Sequence, residues 1–320
     1  MLRNSYALRR LLYAVPICIG VGAVCFSLIY LAPGDPLQTI LPADATPEVI
    51  ELMRRAYGLD KPVYQQFLLW LVRAFQGDFG HSISTGRPVI VEVWQALRNT
   101  ASLAIFAVPL SMGLGFTIGA LAGFFRRRWL NSVVTALSTV GVCVPNYWLG
   151  IVLVIIFSVK LMVLPSAGMG SGGSDDFSFL RWEDVRFLIL PVVTLSLVPL
   201  GMVARSTKAA VEEVTSMEFV QTLQAVGLSE FEILRHVIKN ALPSVLSVMA
   251  LQFGYLMGGS ILVETIFNWP GTGYLLSKAI VNRDIPVLQG TILTLALVFV
   301  FANLLVDQIQ ARIDPRIRRA

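Results

Sequence analysis

Few side chains in this sequence could do chemistry, and their placement limits which chemistry that is. The two histidines, His81 and His236, fall in different polar segments. No Gly-x-Ser-x-Gly elbow or His-Glu-x-x-His pair accompanies them, and a hydrolytic centre needs such a convergence of nucleophile, base or metal. No Gly-x4-Gly-Lys-Ser/Thr loop occurs either, so the chain is not expected to bind and hydrolyse ATP by itself. Cys18, Cys25 and Cys143 lie in apolar runs without metal-like spacing and read as packing residues. We therefore expect no catalytic residue, metal or cofactor, and no enzymatic activity.

The remaining ionisable groups of interest are acids in apolar surroundings. Asp307 lies near the inner end of the last apolar run, and Glu264 lies within "GGSILVETIFNWPGTG". An ionised carboxylate at mid-membrane costs about 2.5–3.5 kcal/mol. Glu264 should therefore face a water-filled path or a partner; snorkelling to the outer interface or pairing with Arg283 fits the sequence equally well. Small residues before the acid and an aromatic and proline turn after it make Glu264, Asn268, Trp269, Pro270 and Gly271 the candidate outer gate of a translocation path.

A second constellation is "TSMEFVQTLQAVGLSEFEILRHVIKNALP", from Thr215 to Pro243. Thr215 with Glu218 and Ser229 with Glu232 have capping-box spacing, so a helical hairpin is expected over residues 215–243. Phe219, Val220, Leu223 and Val226 form the apolar stripe of its first helix. Phe231, Leu234, Ile238 and Leu242 form that of the second. Gly227 stands where a left-handed turn requires glycine, and Pro243 is expected to close the unit. Five acids and no base occur from Glu212 to Glu232. That sign opposes attraction to an anionic lipid surface and favours docking to another protein.

The elements that position these groups follow from composition. The 320 residues are 55% hydrophobic and only 14% charged, outside the range of soluble domains. Apolar runs long enough for the roughly 20 helical residues a crossing needs extend over Leu11–Leu31, Ala101–Phe125, Ala136–Leu164, Phe187–Ala204, Ser244–Phe267 and Val287–Ile309. The fold class is thus an all-α polytopic membrane protein of about six transmembrane helices. The third run contains Pro145 and should be kinked or partly interfacial. The first run is longer than a signal-peptide core and lacks a small-x-small exit, so it is expected to be retained.

Basic residues set the orientation. Arg3, Arg9, Arg10, Arg126 to Arg128, Arg205, Lys208, Arg235, Lys239, Arg312, Arg316, Arg318 and Arg319 fall on one side. The other holds Lys160, Arg181, Arg186, Lys278 and Arg283. Both termini should therefore be cytoplasmic, and the net charge of +5 reads as topology rather than nucleic-acid binding.

The chain divides into an N-terminal tail and first span (1–31), an extracytoplasmic loop (32–100) and a core of five spans (101–320). In the loop, Thr46, Pro47 and Glu48 start a helix running to about Tyr57, with Gly58 stopping it. Val63, Phe67, Trp70, Leu71 and Ala74 mark a second, amphipathic helix. These helices read as a lid on the membrane surface, or as a docking platform for an extracytoplasmic partner. "AGMGSGGSDD" has the composition of a flexible connector.

Taken with "LRRLL", "PGDP", "GLDKPVYQQF", "GDFG", "VPNYWLG", "ETIFNWPGTG", "NRDIPVLQG" and "DPRIRR", the hairpin resembles the cytoplasmic EAA loop of ABC-importer permeases for dipeptides, oligopeptides and nickel. Gly227, His236, Asn240, Ala241 and Pro243 carry the match. Gln221, Thr222 and Leu223 depart from the EAA positions, and "QAVG" replaces a basic "RAKG". The resemblance implies a homologous second permease, two cytoplasmic ABC ATPase subunits and an extracytoplasmic solute-binding protein, in a cell inner or plasma membrane. It implies ATPase-coupling roles for Leu223, Ala225, Gly227, Leu228, Ser229, Glu232, His236 and Asn240; His236 is otherwise read as structural. The solute stays open among dipeptides, oligopeptides, glutathione-like thiols and nickel chelates. The competing reading of the residues is an ATP-independent secondary transporter or channel subunit.

Overall fold

The computed structural model describes residues 16–17, 19–27, 46–56, 60–170, 172–174 and 176–313. Among them the chain is helical, with one isolated bridge between His81 and Pro88 and no strand. Two compact units divide it: Met1–Arg98 with Tyr274–Phe301, and Asn99–Gly273 with Ala302–Ala320.

In the first unit, α1 covers residues 16–17 and 19–27, so much of the expected first span lies outside the described residues. The loop helices are α2 (Pro47–Ala56) and α3 (Val63–Phe75). The expected stop at Gly58 lies outside the described residues, but α2 starts at the proline as its N-cap chemistry requires, with Ile50 N–H donating to Thr46 O at 3.1 Å. A small core joins Val89 and Val93 to Ala279 and Val287. Asp284, buried, caps the last helix, α12 (Ile285–Ile313). It accepts from Val287 N–H at 3.3 Å, Ser82 Oγ at 2.6 Å and Ser84 N–H at 3.0 Å.

The second unit takes in α5 (Leu114–Phe125), α6 (Arg128–Cys143), α7 (Asn146–Leu153), α8 (Trp182–Thr215), α9 (Glu218–Ala225) and α10 (Glu230–Ile266). It begins inside α4 (Val89–Val108), which runs into α5 through a π-helical turn at Pro109–Gly113; α11 (Thr272–Val281) starts at its other boundary. The central helix is α8, and α5 lies against it almost backbone to backbone. A Cβ added at Gly119 would run into Ala204 O, and Gly115 and Gly123 continue that small-residue stripe at four-residue spacing. Neither Pro191 nor Pro199 interrupts α8.

Four helices among the described residues are long and apolar enough to cross a membrane. A fifth candidate is the pair Arg128–Cys143 and Asn146–Lys160, bent by 104°. The kink expected at Pro145 is thus a full break: Val144 and Pro145 are extended and end the run of helical hydrogen bonds. Several helices outrun their apolar stretches. Val89–Phe125 begins twelve residues before Ala101, which places the end of the expected outer loop on the same rod as the second span.

Candidate functional site

The hairpin is built by local backbone chemistry. At the end of α9, Gly227 has φ +88° and its N–H donates to Gln224 O at 3.0 Å, while Leu228 N–H donates to Leu223 O at 3.2 Å. Those two bonds make a Schellman turn, and Leu223 and Leu228 pack into one cluster beside it. Two residues on, Ser229 starts α10 with a complete capping box. Its N–H and hydroxyl donate to Glu232 Oε2 at 2.9 and 2.7 Å, and Glu232 N–H returns to Ser229 Oγ at 3.4 Å. Hydrogen bonds from Ser229 hold the exposed Glu232 carboxyl below the usual glutamate range.

Two features of the hairpin differ from expectation. Thr215 does not cap α9: it is the last residue of α8, and its hydroxyl donates back to Val211 O at 2.6 Å, leaving Met217 as the uncapped N-cap. Pro243 does not close the unit either. It lies inside α10, which runs 37 residues from Glu230 to Ile266, so the second hairpin helix and the fifth span are one element. A proline removes one N–H from such a ladder, and the bonds around it keep the helix continuous.

The buried face of α10 is also rotated from the expected stripe. Ile233, Val237, Ala241 and Val245 pack with Val220 against Val211 and Val214 of α8. Phe231 is 77% exposed and Val226 73%. Around them Ala225, Gly227, Ser229, Glu230, Glu232, His236 and Asn240 are exposed, Leu223 and Leu228 half-buried. Asn240 Nδ2 bonds to the carbonyl of His236 at 2.9 Å. On the hairpin surface Val226 and Phe231 thus form an exposed apolar knob, with Glu230 and Glu232 beside Phe231 in the chain.

At the far end of α10 the second constellation is closed in. Glu264 is 0% exposed. Its Oε1 accepts from Thr100 Oγ1 at 2.8 Å and its Oε2 from Gly273 N–H at 2.7 Å, the first turn of α11. Thr272 N–H donates to Thr100 Oγ1 at 2.8 Å, so one hydroxyl joins α4, the loop and the carboxylate. A Cβ at Gly271 would sit 2.5 Å from the Glu264 carboxyl, which is why glycine stands there. Trp269, fully buried, donates from Nε1 to Asn99 O at 2.9 Å, and Asn99 Nδ2 answers to Pro270 O at 2.9 Å. Phe177 meets the Trp269 ring edge-on at 5.8 Å between centroids. Asn268 is exposed with φ +50°.

Glu264 therefore neither snorkels to the interface nor faces water in this conformation. Its carboxylate is bound by a hydroxyl and by the backbone at a helix N-terminus, the site a helix offers an anion. Asn99, Thr100, Thr272 and Gly273 complete that site, and no reading of the sequence singled them out as members. Their signal was present: "NT" opens an otherwise apolar run, and "TG" ends the quoted motif. Asp307 lies outside the residues whose side chains are described. Among the described residues no group of His, Cys, Asp and Glu converges as a metal would need.

Residues 115–319 match the family described as binding-protein-dependent transport system inner membrane component, and residues 1–104 match its N-terminal membrane component. The chain belongs to this family. It is 37% identical to the dipeptide transport system permease protein DppB of Alkalihalophilus pseudofirmus over 330 residues, covering 98% of this chain and 99% of that protein. It is 38% identical to the glutathione transport system permease protein GsiC of Escherichia coli strain K12 over 315 residues, at the same coverage. A putative peptide transport system permease protein of Brucella abortus strain 2308 is 39% identical over 316 residues, again at 98% and 99%. The fold is also that of a chain in the inward-facing MetNI methionine ABC transporter, with TM-score 0.51 and 16% identity over 71% of this chain and 96% of that one.

This permease-family chain is thus a multi-pass membrane protein of an ABC transport system, and the secondary-transporter or channel reading gives way. A binding-protein-dependent system works with a solute-binding protein and an ATPase.

Proposed function

We propose that this chain is one of two permease subunits of an ATP-driven importer for peptides or related small solutes. Two cytoplasmic ATPases drive it, and an extracytoplasmic binding protein supplies the solute. The names of its relatives, for dipeptides, glutathione and peptides, support that solute class. In this reading both termini face the cytoplasm, and the hairpin of residues 215–243 seats in the ATPase.

The observation that carries the proposal is the continuity of α10. From Ser229 to Glu264 it extends about 53 Å at 1.5 Å per residue, further than a hydrocarbon core of about 30 Å. The knob of Val226 and Phe231 thus stands at one end of a rod, and the buried carboxylate at the other. Packed helices shift as bodies rather than deform gradually, so displacement of the knob moves the segment around Glu264, Trp269 and Gly271. That segment acts as the outer gate through its anchorage, with Glu264 as the latch that fixes α11 and the loop to the rod.

The test is to purify the tagged chain gently from its native membrane, identify what accompanies it and assay ATP hydrolysis. A second permease and ATP-hydrolysing subunits are expected. An ATPase-free homo-oligomer that moves peptide in vesicles would overturn the proposal.

A further inference from the structure

The two helices of the N-terminal loop differ in character. Helix α2 carries Glu48, Glu51, Arg54 and Arg55 among its ten residues. Helix α3, "VYQQFLLWLVRAF", carries one charge, Arg73, and its only other polar side chains apart from the Tyr64 hydroxyl are Gln65 and Gln66. One side of α3 packs inward: Phe67 and Trp70 meet Phe26 of α1 at 5.5 and 6.0 Å between ring centroids, and a Cβ at Gly22 would lie 3.4 Å from Trp70. Away from that side Tyr64, Leu68, Leu69, Val72 and Phe75 are all exposed, interrupted by Gln65 and Arg73, and no residue of the helix is buried. An exposed apolar surface of this size is covered either by protein or by lipid.

Depth favours lipid. The described helix continues five residues beyond Gly22 to Ser27, about 7 Å at helical rise, and the apolar run of the sequence extends to Leu31. Trp70 therefore touches the first span well inside the hydrocarbon rather than at its rim. Thirteen residues make about 20 Å of helix, too short to cross a core of about 30 Å. We propose that α3 is a membrane-immersed helix that does not span, packed by Phe67 and Trp70 on the first span and facing lipid acyl chains through Leu68, Leu69 and Val72. Arg73, near its end, reaches the headgroups by extending its stem.

The test uses the assembled complex in phosphatidylcholine and phosphatidylglycerol vesicles, with Cys18, Cys25 and Cys143 replaced by serine. Single nitroxide labels go on Leu68→Cys, Leu69→Cys and Val72→Cys, with Glu48→Cys as the aqueous reference. Collision rates with oxygen and with a water-soluble nickel chelate present on both sides are compared. We expect the oxygen-to-nickel ratio at all three sites to exceed the reference at least fivefold. A ratio like that of Glu48 would overturn immersion in favour of an aqueous lid. Protection from both reagents would overturn it in favour of a protein partner. Photoactivatable acyl-chain crosslinking of the unmodified complex, mapped by mass spectrometry, guards against misfolded variants: crosslinks within Val63–Phe75 are expected, and their absence beside crosslinks on other spans counts against the proposal.

Discussion

At the hairpin end of α10 the side chains of interest project outward. Phe231 and Val226 stand clear of the fold and Glu230 and Glu232 are exposed, while a glycine turn, a capping box and the packing of Val220, Ile233 and Val237 on α8 hold the backbone that carries them. At the other end nothing of interest is exposed except Asn268. Glu264, Thr272 and Trp269 have no accessible surface, and each is tied across more than 150 residues of sequence to Asn99 or Thr100. In the proposed reading one end meets the ATPase, and the other meets the chain itself. A variant at the first should therefore cost association, and one at the second should cost the stability of the subunit.

The largest effect is expected from Gly271→Leu. Its side chain would enter the space of the Glu264 carboxyl. Overpacking costs about 1–3 kcal/mol and displacing the carboxylate leaves donors unmet for about 1–3 more. The melting temperature of the purified complex should fall furthest of the set. Glu264→Gln is milder: its amide oxygen can keep Gly273 N–H while its NH2 donates to Thr100 Oγ1, whose hydroxyl turns to Thr272 Oγ1 3.0 Å away, so the loss is that of charge-assisted bonding, about 1–2 kcal/mol. Thermal stability and peptide transport should drop while the ATPase still co-purifies. Unchanged stability and transport would break the comparison at this end.

Gly227→Val should invert that pattern. No atom lies within 4 Å of the position, so the cost is backbone strain alone, about 1–2 kcal/mol for an L-residue held left-handed. The chain should remain in the membrane and the yield of co-purifying ATPase should fall. The smallest effect is that of Ser229→Ala, about 1 kcal/mol for a lost N-cap, read as a modest loss of ATPase association. Its pH dependence sharpens the assignment. Because Ser229 depresses the Glu232 carboxyl, the cap contributes stability above the ordinary glutamate pKa and loses it as pH falls through the lowered folded value. Association by the native chain should weaken on acidification through that range, and in the alanine variant this acid limb should flatten.

What the sequence revealed and what it hid separate along the same line. Gly227 and the Ser229–Glu232 box are legible because their partners lie within five residues. Thr215 looked the same but was already committed to the end of α8, and a four-residue motif cannot tell a helix start from a helix end. Phe231 was assigned to the wrong face because a short amphipathic stripe leaves its rotation open until packing against Val211 and Val214 selects Ile233 and Val237. Pro243 read as a stop, yet tertiary packing carries it within α10. The partners of Glu264 were illegible for a plainer reason: hydrogen bonds to Thr100 span 164 residues, and no local pattern encodes them.

The central claim is that α10 moves as one body between its exposed knob and its buried latch. Nitroxide pairs on Glu230→Cys and Thr265→Cys, exposed positions at the two ends of α10, in a complex freed of native cysteines, report that distance by pulsed electron resonance. A separation of roughly 53 Å is expected from helical rise, unchanged within a few ångströms between nucleotide-free and ATP-trapped states while transport proceeds. A change of 10 Å or more, with bending at Pro243, would contradict it.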